Sequence, residues 1–138
     1  MLLLYSCSMK KEIAPYLAPP KKKIRLNDYS TTYSGPLDKE AGQLELEKIK
    51  KSLHTSQEKL YASGTHAVLV IIQAMDAAGK DSAIEHVFSG INPQGCQVHS
   101  FKTPTSAEYD HDFLWRHYAA LPARGKIGIH NRSHYEYV

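Results

Sequence analysis

The sequence predicts an α/β fold in which a parallel sheet carries helices on its flanks. Three observations lead there. Ala67-Val68-Leu69-Val70-Ile71-Ile72-Gln73 is a short, continuous apolar run rich in β-branched side chains, the pattern of a central strand buried on both faces. Strand-like and helix-like stretches then alternate as far as residue 130, the order that builds parallel pairing through crossover helices. A short loop holding Gly79 and Lys80 joins the first strand to the helix that follows.

Each element has its own local reason. Residues 9–37 carry six of the 17 basic residues, Lys10, Lys11, Lys21, Lys22, Lys23 and Arg25, together with Pro15, Pro19, Pro20 and Pro36. Proline at that density favours an extended arm over a helix. Such an arm is either a plain solvated tail or an electrostatic guide for an anionic substrate. From about Asp38 to Tyr61, Leu46, Ile49, Leu53 and Leu60 share one face at helical spacing, and Ser63-Gly64 ends the helix. Beyond the first strand and the loop at 74–79, Ala83, Ile84, Val87 and Phe88 stripe a second helix.

Asn92-Pro93-Gln94-Gly95 reads as a turn and residues 96–101 as a second strand. Thr105-Ser106-Ala107-Glu108 is a capping box. The helix it opens presents Phe113, Leu114, Tyr118 and Leu121 before Pro122 ends it. Core packing is the expected role of Trp115 and its aromatic neighbours, which leaves Asp112 and Arg116 to face a site. Residues 126–130 form a third strand. The chain accordingly divides into a basic extension over 1–37 and one α/β domain over 38–138.

Composition sets the class. A chain of 138 residues, 42% hydrophobic and 22% charged, suits one soluble domain. The balance of 17 basic against 14 acidic residues, +3, is too mild to argue for nucleic acid but suits a polyanion if the charge clusters. No apolar run reaches the roughly 18 residues of a membrane span. Cys7 and Cys96 lie far apart with no Cys-x-x-Cys pair, which excludes a disulfide scaffold and a cysteine zinc site and fits a reducing compartment. Met1 to Ser8 resemble a secretory leader only faintly, lacking a basic residue ahead of a short apolar stretch, so they are expected to be an extension ahead of Met9, and the cytoplasm is the expected location.

The chemistry concentrates in Ala74-Met75-Asp76-Ala77-Ala78-Gly79-Lys80-Asp81-Ser82. It departs from the phosphate-loop pattern GxxxxGK[ST], because Ala74 replaces the first glycine and Asp81 the hydroxyl residue, with Ser82 one place later. The physics survives those departures. Small residues Ala77, Ala78 and Gly79 let the main chain approach phosphate oxygens, and the helix start supplies unpaired N–H groups. Lys80 sets a cation against a transferring phosphoryl group. Asp76 would repel a phosphate unless a cation lay between, so it is expected to organise a metal, with Mg²⁺ the natural ion, or to position the acceptor.

A second cluster, Ile127-Gly128-Ile129-His130-Asn131-Arg132-Ser133-His134-Tyr135, closes the third strand, and ligands of parallel sheets gather at such carboxyl ends. Asn131 would help organise a metal and Arg132 would pair bidentately with phosphate oxygens. Although the chain has eight histidines, His130 and His134 flank a strand-end loop rather than a helix, and no HExxH occurs, which argues against zinc.

These stretches resemble the polyphosphate kinase 2 family. The resemblance rests on residues 73–81, Asn92-Pro93-Gln94-Gly95-Cys96, His111-Asp112-Phe113-Leu114-Trp115-Arg116, Asn131-Arg132-Ser133-His134-Tyr135-Glu136 and the upstream Gln57-Glu58-Lys59-Leu60-Tyr61-Ala62. It implies a P-loop kinase fold and Mg²⁺-dependent phosphoryl transfer between inorganic polyphosphate and a nucleoside phosphate. Asp76, Lys80 and Arg132 would be catalytic, with Asp76 at the metal. Ala77, Ala78, Gly79, Lys80, Asp81, Ser82, Asn131 and Arg132 would bind phosphate and nucleotide. Asn-Arg-Ser-His-Tyr in place of Asp-Arg-Ser-Trp-Tyr resembles members that accept AMP as well as ADP. Expected partners are polyphosphate and AMP, ADP or ATP, with neither nucleic acid nor membrane, and the sequence leaves a homo-oligomer open.

Members of the family continue past the Tyr-Glu motif into further strands and a basic lid. A chain ending at Val138 is therefore expected to be a truncated product, incomplete after its third strand, with weak or no turnover alone. Two other readings stay open at this point: a P-loop kinase of a small metabolite, and a polyphosphate-binding fragment without catalysis.

Overall fold

The computed structural model describes residues 17, 20, 23–30, 32, 35–75 and 77–137. The chain falls into two compact units, Met1–Gly42 and Gln43–Val138. In the first, a 3₁₀ turn spans Leu26–Asp28, closed by Tyr29 N–H donating to the Leu26 carbonyl at 3.1 Å. Asp38 starts helix α1 (Lys39–Ser63) by accepting the Ala41 N–H on its carboxylate at 2.8 Å, so a free N–H of the first turn is satisfied by a side chain.

Within the second unit the buried side of α1 differs from the expected stripe. Leu46, Leu53 and Leu60 are half-buried, whereas Ile49 is 52% exposed and Gln57 is buried. Positions 46, 50, 53, 57 and 60 keep the true helical spacing, and Gln57 fills the place beside Gly95, where a Cβ would collide with its amide. The helix stops as expected: Gly64 takes φ +58° and its N–H returns to the Leu60 carbonyl.

Strands β1 (Val68–Ile72), β2 (Cys96–Ser100) and β3 (Ile127–Asn131) make one sheet in the order β1-β3-β2, parallel throughout. The register sets Ile72 and Ser100 level with Asn131, so all three carboxyl ends finish on one line. Helix α2 (Lys80–Phe88) follows β1, and the 3₁₀ turn Pro93–Gly95, capped by the Asn92 side chain, leads into β2.

Two expectations are corrected here. Among the described residues the apolar run at β1 is not the central strand: it pairs with β3 alone, and Val68 is 43% and Ile71 48% exposed. The central place belongs to β3, buried at all five positions although its sequence includes Gly128, His130 and Asn131. The single helix expected after Thr105 is two, α3 (Ser106–Tyr109) and α4 (Trp115–Ala119). The capping box forms with both its bonds, but Asp112 then captures the Leu114 N–H on its carboxylate at 2.9 Å and the Trp115 N–H on its carbonyl at 2.8 Å. A short acidic side chain that bonds nearby main chain competes with the helical ladder and restarts it.

That break also turns out the aromatics. Phe113 and Tyr118 are exposed and Trp115 is 43% exposed, its indole stacked on His111 at 4.1 Å between ring centroids. Among the described residues the buried apolar side chains are instead Ile91, Phe101, Ala120, Ile127 and Ile129.

Gly128 packs under Pro122, where a Cβ would lie 2.8 Å from the ring carbons. Gly128→Ala is expected to lower stability by about 1–3 kcal/mol through overpacking. Gly42→Ala, in α1 with nothing within 4 Å of the added carbon, should raise it by about 0.5–1 kcal/mol. Urea unfolding of both variants reads the two signs; a neutral Gly128→Ala contradicts the packing.

Candidate functional site

The loop between β1 and α2 has a strained main chain. Ala77 takes φ +60° and Gly79 φ +82°, both left-handed, while Ala78 between them does not. Left-handed geometry costs a residue with a Cβ roughly 1–2 kcal/mol, so Ala77 is held there by its surroundings. Alternation of this kind turns successive main-chain N–H groups toward one point, which makes an anion cradle. The Ala78 N–H closes a tight turn onto the Met75 carbonyl at 3.2 Å.

Lys80 is the first residue of α2 and only 9% exposed. Its cation therefore sits at a helix N-terminus in a partly desolvated place, where charge interactions with an anion are stronger than in water. Asp81 and Ser82 follow on the first turn and are exposed. Asp76 lies outside the described residues.

The second cluster meets this loop from β3. Asn131, its last residue, is buried and donates from Nδ2 to the Asp81 carboxylate at 2.6 Å and to Ser100 Oγ at 3.5 Å. An ionised carboxylate only accepts, so the amide nitrogen faces Asp81. The Asn131 Oδ1 atom is left buried with no hydrogen-bond partner among the described residues. Oxygen donors of this kind, an amide carbonyl beside a carboxylate, fit a small hard divalent cation.

Arg132 takes φ +82° and its N–H donates to the Ile72 carbonyl at 3.0 Å. Ser133 donates to the Gln73 side-chain oxygen and accepts the Tyr135 N–H at 3.1 Å. The structure thus brings Lys80, Asp81, Asn131 and Arg132 to one end of the sheet beside Ala77, Ala78, Gly79 and Ser82. Gln73 and Ser133 fall within the two stretches singled out in the sequence without a role of their own there, and Ser100 lies outside both. Only their polarity at strand ends marks them in the sequence.

Beside the strand ends lies a cavity of about 480 Å³, lined by Glu108, Tyr109, Phe113, Arg116, His117 and His134 among others. Arg116 is buried, donates to the Lys102 carbonyl at 2.9 Å, sits 3.7 Å from the Glu108 carboxylate and lies over the Phe101 ring. The Thr105 N–H that Glu108 accepts holds its carboxyl below the usual range, and Arg116 adds to this.

Phe101 is ringed by imidazoles, with His117 at 4.0 Å and His130 at 4.9 Å between centroids. His130 Nε2 faces the Ala120 carbonyl at 3.1 Å, so that nitrogen carries the proton. Burial pushes the His117 pKa down, helped by the neighbouring charges of Arg116, His130 and His134 and opposed by Glu108.

Residues 36–138 match the family model described as Polyphosphate kinase 2 (PPK2). An ADP-polyphosphate phosphotransferase of Rhodopseudomonas palustris is 67% identical over 82 residues, covering 59% of this chain and 28% of that protein. An AMP/ADP-polyphosphate phosphotransferase of Meiothermus ruber is 49% identical over 98 residues, covering 71% and 37%. The crystal structure of polyphosphate kinase 2 from Arthrobacter aurescens TC1 superposes with a TM-score of 0.77 at 38% identity, over 83% of this chain and 43% of that one. The chain spans about a third of the length of these two curated relatives.

Because the folded His117 binds its proton less tightly than the unfolded residue, its contribution to stability is complete above the unfolded pKa of about 6.5 and is lost as pH falls through the lowered value. Native protein should therefore lose urea stability between pH 7.5 and 5. His117→Phe should flatten part of that slope; an equal slope in both proteins contradicts the assignment.

Proposed function

Since the chain belongs to the polyphosphate kinase 2 family, we propose that it takes part in phosphoryl transfer between inorganic polyphosphate and a nucleoside mono- or diphosphate, AMP or ADP. The observation that carries this reading is the left-handed loop at Ala77 and Gly79 running into the buried Lys80, with Asn131 and Arg132 bonded to its two ends. The relatives named above supply the substrate pair.

In this reading an oxygen of the acceptor nucleotide's phosphate forms a bond to the terminal phosphorus of the polymer, while that phosphorus releases the shortened chain. Both reactants are anions, so the work of the protein is positioning and charge. The N–H groups of Ala77 and Gly79 hold non-bridging oxygens, the small Ala78 side chain leaves room for them, and Ser82 adds a hydroxyl. Lys80 lies against the transferring group, where it offsets growing negative charge. Arg132 grips phosphate oxygens through its planar guanidinium. Asp81 fixes the Asn131 amide and leaves Oδ1 for a cation.

A divalent metal, Mg²⁺ by the hardness of its donors, would be held by Asp76, Asp81 and Asn131. When bound it shields the two anions from each other. The aromatic walls of the adjoining cavity, Tyr109, Phe113 and His134, suit the flat base of the acceptor.

The test is transfer by the purified chain with polyphosphate, Mg²⁺ and AMP or ADP, beside calorimetric binding of tripolyphosphate. Lys80→Ala and Asp76→Asn should each cut product formation by at least about 100-fold, the scale of losing a main electrostatic stabiliser. Near-normal turnover in either variant overturns the roles. Tripolyphosphate binding with no product from the native chain would leave a phosphate-binding module.

A further inference from the structure

Three successive residues at the end of β3 bond to both ends of the phosphate loop. Asn131 reaches Asp81 where the loop enters α2. The Arg132 N–H reaches Ile72, and the Ser133 hydroxyl reaches Gln73, where the loop leaves β1. Ser133 is 3% exposed, and its hydroxyl is used twice, as donor to Gln73 and as acceptor from the Tyr135 N–H. Gln73 is itself exposed, so water would satisfy its amide. Its bond to Ser133 is therefore not required by its own burial; what it does is fix the first side chain of the loop.

We propose that Ser133 and Gln73 are positioning residues whose side-chain bond, with the Arg132–Ile72 main-chain bond, holds the opening of the loop so that the Ala77–Lys80 segment is already shaped for a phosphate chain. The inference rests on the reading of that loop as a phosphate site. Left-handed φ at Ala77 and Arg132 is costly for side-chain-bearing residues and persists only where neighbouring bonds over-determine it. The Ser133–Gln73 bond lies one residue from Arg132 and four from Ala77. Releasing it leaves the Ile72 and Asn131 pairing of β1 with β3 intact. The loop then has more conformations to give up on binding, which weakens affinity without unfolding the sheet.

The test uses Ser133→Ala, Gln73→Met, their double variant and Ser133→Thr. Gln73→Met removes the acceptor while leaving the Ser133–Tyr135 bond in place. Two readouts are taken on each folded protein: tripolyphosphate affinity by calorimetry, and the backbone amide NMR shifts of Gly79 and Lys80 without ligand. Ser133→Ala and Gln73→Met are each expected to weaken tripolyphosphate about tenfold, the scale of one lost part-buried hydrogen bond. They should also displace the Gly79 and Lys80 amides. The double variant should be no weaker than Ser133→Ala, since both single variants remove the same Ser133–Gln73 bond, and Ser133→Thr should restore affinity.

Unchanged affinity, additive losses or no rescue by threonine would overturn the proposal. If native protein binds no tripolyphosphate, the phosphate reading of the loop fails. The amide shifts then still decide: displacement in both single variants supports the clasp, and unmoved Gly79 and Lys80 amides refute it.

Discussion

Parallel pairing on both sides of β3 is the constraint from which the site follows. It puts Ile72, Ser100 and Asn131 on one level, and that level is where all three strands end. The loop after β1 and the turn after β3 must leave the sheet at adjacent points, so residues far apart in the chain become neighbours. The Asn131 amide meets the Asp81 carboxylate at 2.6 Å across 50 positions of sequence. Had β2 stood in the middle, Asn131 could not lie beside β1 and the phosphate loop would lose its opposite wall. The left-handed conformations of Ala77 and Arg132 then mark where the chain is bent against its own preference to suit this meeting.

The electrostatics follow the same geometry. Lys80 is brought into a partly buried position by opening α2, and Arg132 is carried in from β3. Cations beside the main-chain N–H groups of a helix start suit a place that an anion fills. Asp81 and Asn131 add oxygen atoms to the same spot, one of them buried and without a hydrogen-bond partner among the described residues. A site with both signs of donor suits an anion and a hard cation together better than either alone.

Much of the architecture is legible in the sequence because it is set locally. The β-branched run marks β1, Gly64 ends α1, and Thr105 with Glu108 announces a helix start through bonds between residues three apart. What escapes is set by tertiary surroundings. The sequence of β3 looks too polar for a central strand, and its burial comes from strands on both sides and from Phe101 and His117 packed near His130. The apolar spacing across 113–121 continues through Asp112, so the pattern cannot register that Asp112 takes main-chain bonds of its own. Of the site, Gly79, Lys80 and Arg132 are readable because their chemistry is rare in that order. Gln73 and Ser133 are not, because their pairing exists only in the register of β1 against β3.

The central claim is that the Ala77–Lys80 segment, shaped by the end of β3, receives a chain of phosphates. A crystal structure of the protein with tripolyphosphate and Mg²⁺ tests it most directly. The account predicts phosphate oxygens within hydrogen-bond distance, about 2.7–3.2 Å, of the Gly79 and Lys80 main-chain nitrogens and of Lys80 Nζ. Tripolyphosphate bound elsewhere, on the lysines of residues 21–23 for example, with that segment making no contact, would contradict it.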